Sequence, residues 1–234
     1  MPPPRYTPML ASLVRAPFRR DGWVFEEKVD GWRKLAYKDG QDIRLVSRNG
    51  VEHTKRFPGI ARAVAKLSAR TLVLDGEVAI YDEQLRSRFD WLRERPGLVA
   101  TPPLLMVFDL LYRDGRDLTA RALRDRRARL EDAVEASELV FPVRRLAGDG
   151  VEAWREVLAR GYEGYVAKDG ASAYVAGATR WWLKVKVPGW TVEGDGFARR
   201  ISLTSPGTSS RPRPPRQEHD DEARVRHHGR VGRR

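Results

Sequence analysis

Lys28 lies in FEEKVDGWRK, residues 25–34, among Glu26, Glu27 and Asp30, and the stretch turns on Asp30-Gly31 before reaching Arg33. Carboxylates hold a lysine protonated, whereas a nucleophilic lysine must be neutral when it attacks. If the segment is a strand, Glu26, Lys28 and Asp30 share one face, and Phe25, Glu27 and Val29 share the other. Gly31 permits close backbone approach, and Arg33 adds a planar cation suited to phosphate or ribose. By itself the segment also reads as a solvated hairpin with cross-strand ion pairs, and that is its plainer reading.

Other stretches carry charge where the same parity matters. In WWLKVKV, residues 181–187, Trp182, Lys184 and Lys186 fall on one face and Leu183, Val185 and Val187 on the other. Two neighbouring lysines backed by an apolar face suit a polyphosphate, although lysines also protect a bare sheet edge. In LVLDGEVAI, Asp75 and Glu77 share a face of an otherwise apolar strand. Two acids there are costly unless paired or bound to a cation, and oxygen-only ligands point to magnesium or manganese. EGYVAKDG offers Glu163 and Lys168, and MVFDLLY offers Phe108 beside Asp109. A phenylalanine in an apolar strand is usually core.

The elements that must position these residues are short strands with a few helices. WVFEEKVDG and RKLAYKDG end on Asp-Gly and QDIRLVSRNG ends on Asn-Gly, three consecutive hairpin signals. KRFPGIARAVAKLSA has helical spacing, with Ile60, Val64 and Leu67 on one face. TLVLDGEVAIYDE and LLMVFDLLYRDG read as strands, with RFDWLRER a short helix between them. ALRDRRARLEDAVEA is an arginine-laced helix, and GVEAWREVLARG is another that Gly161 stops. YEGYVAKDG and RWWLKVKV close the series as strands. Antiparallel strands with interspersed helices predict an α+β domain.

Composition excludes several classes of chemistry. The chain has no cysteine and four histidines, three of them in its last sixteen residues. That removes disulfides, thiolate catalysis and cysteine-ligated metals, and it disfavours a histidine-built site. No apolar run approaches the length of a membrane span, and MPPPRYTPML lacks the layout of a signal peptide, so a cytoplasmic protein is expected. The net charge is +12, carried by 8 lysines and 36 arginines, and from residue 211 onward eight arginines stand against four acids. The rest of the chain remains basic, which favours a polyanionic partner.

The ordered set is more specific than any of its members. EEKVDGWR resembles the nucleophile motif E-x-K-x-D-G-x-R of covalent nucleotidyltransferases, the superfamily of ATP-dependent DNA ligases, RNA ligases and mRNA-capping guanylyltransferases. SRNG, LDGEV, VFDLLY, EGYVAK and LKVK are similar to its later motifs, in the family's order, and the set spans residues 24–187. The wording is most similar to the ligase domain of bacterial end-joining DNA ligases. The resemblance implies a nucleotidyltransferase fold of antiparallel sheets with flanking helices around an ATP cleft.

It also implies roles. Lys28 would attack the α-phosphate of ATP to give lysyl-AMP. Glu26 would recognise the adenine amino group, Arg33 the ribose, and Phe108 would stack on the base. Glu77 would contact the ribose or a metal, and Glu163 the metal, Mg2+ or Mn2+. Lys184 and Lys186 would hold the α-phosphate, and Arg48 of SRNG the 5′-phosphate of nicked or broken duplex DNA. With Glu26 or Asp30 close by, Lys28 is expected to stay protonated until metal and nucleotide arrive and lower its pKa.

The resemblance covers residues 1–203 as an adenylation domain. Residues 204–234 have four prolines before a charged end and are expected to be a disordered Pro/Arg-rich tail. Only 48 residues follow Lys186 in the 234-residue chain. A five-stranded oligonucleotide-binding barrel needs roughly 70 or more, so no such barrel is expected within this chain. A separate barrel or DNA-end-binding protein is then an expected partner, in the bacterial nucleoid, for DNA repair or recombination. An RNA ligase, a capping-type enzyme and a non-catalytic nucleotide- or DNA-end-binding module are the other readings.

Overall fold

Two β-sheets lie face to face, and alternation along their strands decides what falls between them. The computed structural model describes residues 2–93, 101–146 and 148–190. In chain order the strands are β1 (Met9–Leu13), β2 (Trp23–Glu27), β3 (Trp32–Asp39), β4 (Asp42–Ser47), β5 (Thr71–Ala79), β6 (Leu104–Arg113), β7 (Arg116–Asp117), β8 (Val140–Pro142), β9 (Gly164–Asp169) and β10 (Gly177–Lys186). The helices are α1 (Pro58–Lys66), α2 (Leu123–Val134) and α3 (Gly150–Arg160). One sheet runs β1-β10-β9-β2, the other β4-β3-β5-β6-β7, with β8 added alongside β6. Most pairings are antiparallel, but β1–β10 and β6–β8 are parallel, so the sheets are mixed. The class is α+β.

Three apolar clusters hold the layers together. Leu72, Leu74 and Val78 of β5 pack with Ile60 and Val64 of α1 and Leu130 of α2 on the outer side of the larger sheet. The opposite parity of β5, Val73 and Ala79, turns toward the smaller sheet and packs with Phe108 and Trp182. Asp75 and Glu77 belong to that inward parity. On the far side of the smaller sheet, Phe25, Tyr165 and Val185 pack with Ala153 and Val157 of α3.

Local signals explain the helices. Pro58 opens α1, where its missing N–H costs nothing. The Asp149 side chain accepts from the Val151 and Glu152 amides at the start of α3, and Gly161, at φ 66°, ends it. RFDWLRER contributes only a 3-10 turn at Asp90–Leu92 before the described residues stop at 93.

The hairpin reading of the first Asp-Gly is corrected. β2 pairs with β9, and β3 pairs with β4 and β5. Asp30-Gly31 is therefore the crossing from one sheet to the other, and a Cβ on Gly31 would lie 2.6 Å from the Val78 carbonyl oxygen. Asp39-Gly40 does make a hairpin, between β3 and β4. The proposed boundary at residue 203 and the tail 204–234 lie outside the described residues. Among those described, no helix is long and apolar enough to cross a membrane.

Candidate active site

Between the sheets lies a cavity of about 380 Å³. β2 brings Glu26 to its wall and Lys28 just beyond the strand end; β3 brings Arg33, β5 Glu77, β6 Phe108 and β10 Lys184. Arg48, exposed in the turn after β4, lies at its edge. Glu163, immediately before β9, joins the group through Lys28, and Lys186 joins through Glu163. The structure thus collects around one cleft the nine residues to which the resemblance gave roles.

Lys28 Nζ lies 2.6 Å from Glu163 Oε2, and Lys186 Nζ lies 2.6 Å from Glu163 Oε1. Burial pulls the Lys28 ammonium pKa down, but Glu163 and then Glu77 outweigh it, and the net shift is upward. The expectation that Glu26 or Asp30 governs Lys28 is corrected. Glu26 is occupied elsewhere, and Asp30 contributes only after Glu163 and Glu77. Asp30 lies on the chain crossing, where its amide donates to Ser87 Oγ at 2.8 Å and its carboxylate accepts from the Phe89 amide.

Glu77 is half-buried in the cleft wall with no ion pair among the described residues, and loss of water around it pushes its carboxyl up to about 7, with Glu163 and Asp30 adding to the rise and Lys28 and Arg33 opposing it. Lys184 is lowered, first by burial and then by Lys28 and Lys186. A site crowded with ammonium groups, and partly cleared of water, suits a polyphosphate.

Arg33 makes two 2.6 Å contacts with Asp75, whose Oδ2 also accepts from the Tyr174 hydroxyl at 2.6 Å. Asp75 therefore aims Arg33 and is no free metal ligand. Phe108 is both core and cleft wall: Arg33 lies 4.5 Å and Lys168 4.3 Å from its ring centroid, and Trp182 meets it edge-on at 5.8 Å. The parity read from WWLKVKV holds. Trp182 and Lys184 face the cavity, while Leu183, Val185 and Val187 pack toward α3.

Glu26 is buried between Lys168, 2.6 Å from its Oε2, and Arg127 of α2, 3.0 Å from its Oε1. The sequence had offered Lys168 without a role, and it gave no sign of Arg127 or Tyr174. A buried arginine in an arginine-rich helix looks like its solvated neighbours, and a tyrosine far along the chain carries no motif.

Among the described residues no three acids or histidines gather as a metal cluster. Glu77 and Glu163 nonetheless offer two carboxylates at the cleft, the donor number that magnesium takes when phosphate oxygens and water complete its shell.

The family model of the ATP-dependent DNA ligase domain matches residues 8–186. The multifunctional non-homologous end joining protein LigD of Pseudomonas aeruginosa is 35% identical over 237 residues, covering 96% of this chain and 27% of that protein. A probable DNA ligase of Streptomyces griseus is 39% identical over 202 residues, covering 76% of this chain and 39% of that protein. The chain thus spans about a quarter to two-fifths of the length of these relatives. Among solved structures, a mycobacterial DNA ligase D complexed with ATP and MES matches with a TM-score of 0.68 at 34% identity, over 77% of this chain and 60% of that one. The ligase domain of LigD from M. tuberculosis matches with a TM-score of 0.67 at 34% identity, over 77% of this chain and 59% of that one. With motifs, sheets and cleft in agreement with these matches, the chain belongs to the ATP-dependent DNA ligase domain family.

Proposed function

We propose that this chain carries out the adenylation chemistry of an ATP-dependent DNA ligase acting in the repair of DNA breaks. Lys28 Nζ attacks the α-phosphorus of ATP. An N–P bond forms, the bond to the bridging oxygen breaks, and pyrophosphate leaves with that electron pair. The nitrogen gives up two protons overall, one before attack and one after, and Glu163 is the acceptor in contact with it. The nucleotidyl group then passes to a DNA 5′-phosphate, freeing Lys28, and a 3′-hydroxyl displaces AMP to close the backbone. Arg48, exposed at the edge, receives the 5′-phosphate. Lys184 and Lys186 steady the α-phosphate, Arg33 the ribose, Phe108 the base and Glu26 its amino group.

Glu163 and Glu77 are the residues that would hold a magnesium or manganese ion. Such an ion would neutralise phosphate charge and compete with Lys28 for Glu163.

The observation that carries this reading is the contact of Lys28 with Glu163 inside a cavity that also presents Lys184 and Arg48. The intact set of cations and carboxylates favours catalysis over a binding-only role.

The test is incubation with α-labelled ATP and magnesium, followed by a denaturing gel and acid treatment. Wild type should carry an acid-labile label, and Lys28→Ala should lose it completely. A folded wild type that forms no adduct would overturn the reading. Nicked DNA against nicked RNA then identifies the acceptor.

A further inference from the structure

The cavity is chemically divided. Lys28, Lys184 and Arg48 gather toward one part, whereas Phe108, Val143, Val166 and Trp182 supply apolar wall. Glu26 is the carboxylate that accompanies this apolar wall, 1% exposed and set between Lys168 and Arg127. The 3.0 Å contact with Arg127 is a charge contact without hydrogen-bond alignment, so Glu26 Oε1 accepts no hydrogen bond. A buried acceptor left open in this way is unfavourable. Its presence in an apolar cavity wall points to a ligand N–H.

Arg127 does not line the cavity. It reaches Glu26 from α2 and is fixed from behind, donating to the Val143 carbonyl and, from Nε at 3.1 Å, to Glu131. The other cation on Glu26, Lys168, sits 4.3 Å and 4.2 Å from the Phe108 and Trp182 ring centroids. Burial lowers the pKa of Lys168, with Arg127 lowering it further and Glu26 opposing. A guanidinium keeps its charge in every surrounding met here. Arg127 is thus the partner that fixes the charge on Glu26.

We propose that Arg127 is a specificity-determining positioning residue: by fixing Glu26 as an ionised, acceptor-only carboxylate, it selects a nucleobase that presents an amino group, as a 6-aminopurine does, over one that presents a carbonyl, as a 6-oxopurine does. An ionised carboxylate has no proton to give, so a 6-oxo group meets oxygen against oxygen. The inference rests on reading the cleft as a nucleoside triphosphate site.

The experiment measures the rate of Lys28 adduct formation with ATP and, separately, with inosine triphosphate. Wild type should strongly prefer ATP. Arg127→Met should shrink the ATP-to-ITP ratio of kcat/KM by about tenfold or more, chiefly through a higher KM for ATP. Arg127→Lys should restore most of the preference. Arg127→Gln, which keeps a donor for Val143 but no charge, carries the same expectation as the methionine variant, so a folding failure of one leaves the other. Glu26→Gln should collapse the ratio, and adding Arg127→Met to it should change the ratio no further. A folded, uncharged variant at 127 with the wild-type ratio overturns the inference, as does an equal loss in the Glu26→Gln background. Absence of any adduct in wild type instead overturns the reading of the cleft itself.

Discussion

Glu163 and Glu26 each lie between two cations in the same cleft, but their partners differ in access to water. The Glu163 partners Lys28 and Lys186 are 17% and 31% exposed at the side chain, whereas the Glu26 partners Lys168 and Arg127 are 2% and 3% exposed. Water stands beside both partners of Glu163 and can take the place of one that moves away; the partners of Glu26 are themselves shut off from water. The first arrangement suits a centre that must come apart during reaction, releasing Lys28 from its carboxylate. The second suits a centre that must stay as it is. Desolvation, rather than the number of charges, separates them.

The sharpest way to break this contrast is to remove one cation from each centre. Lys168→Met strands Glu26 with a single buried partner and should cost about 3–5 kcal/mol in urea unfolding. An unchanged midpoint would show that the buried centre is not fixed at all.

Glu27 sharpens the comparison as a carboxylate with no close partner. It is buried, its nearest cation is Arg144 at 3.9 Å, and its carboxyl is pushed up to about 7 by burial, against Arg144 and Arg160. A folded pKa above the unfolded value means that the native state binds more protons between roughly pH 4.5 and 7. Stability from this group is therefore full below that window and lost as pH rises through it. Glu27→Gln should stabilise the protein by on the order of 2 kcal/mol at pH 8 and hardly at all at pH 4, as denaturation at the two pH values would report.

Lys28 itself reports on the open centre. Glu163 is the largest influence raising its pKa, so Glu163→Gln should move the midpoint of its labelling by an amine-reactive probe to lower pH. Magnesium with a non-hydrolysable ATP analogue should do the same in wild type. A midpoint indifferent to both would remove the idea that carboxylates keep this amine quiet. The smallest effect on stability belongs to Lys186→Met, within about 1 kcal/mol, since its ammonium is partly in water. Its adduct formation should nevertheless fall by about tenfold or more.

Much of the cleft was legible because strand alternation converts spacing into direction. Spacing alone places Trp182, Lys184 and Lys186 on one face, and Asp75 with Glu77 likewise. What spacing could not give was the partner across the gap. Glu26 and Lys28 stand two residues apart, yet one meets cations from β9 and α2 while the other meets Glu163. Their separation arises because β2 ends at Glu27 and the chain crosses between sheets at Gly31. The Asp-Gly there carries the same local signature as a hairpin, and only the pairing of β2 with β9 tells the two apart. β1 went unseen because MLASL is short, and its pairing partner lies near residue 180.

That partner gives the pairing of β1 with β10 a consequence for synthesis. Met9 lends its carbonyl to Arg33 and its amide to Tyr174, while Leu10 and Ala11 form part of the cavity wall. A growing polypeptide can close this seam only after Lys184 has left the ribosome, since β1 is held along residues 177–184. Contacts so distant in sequence are the slow ones to form. β1, made before every other strand of the fold, is thus among the last to dock, and a ribosome-tethered chain stalled before Gly177 should have no pocket to fill.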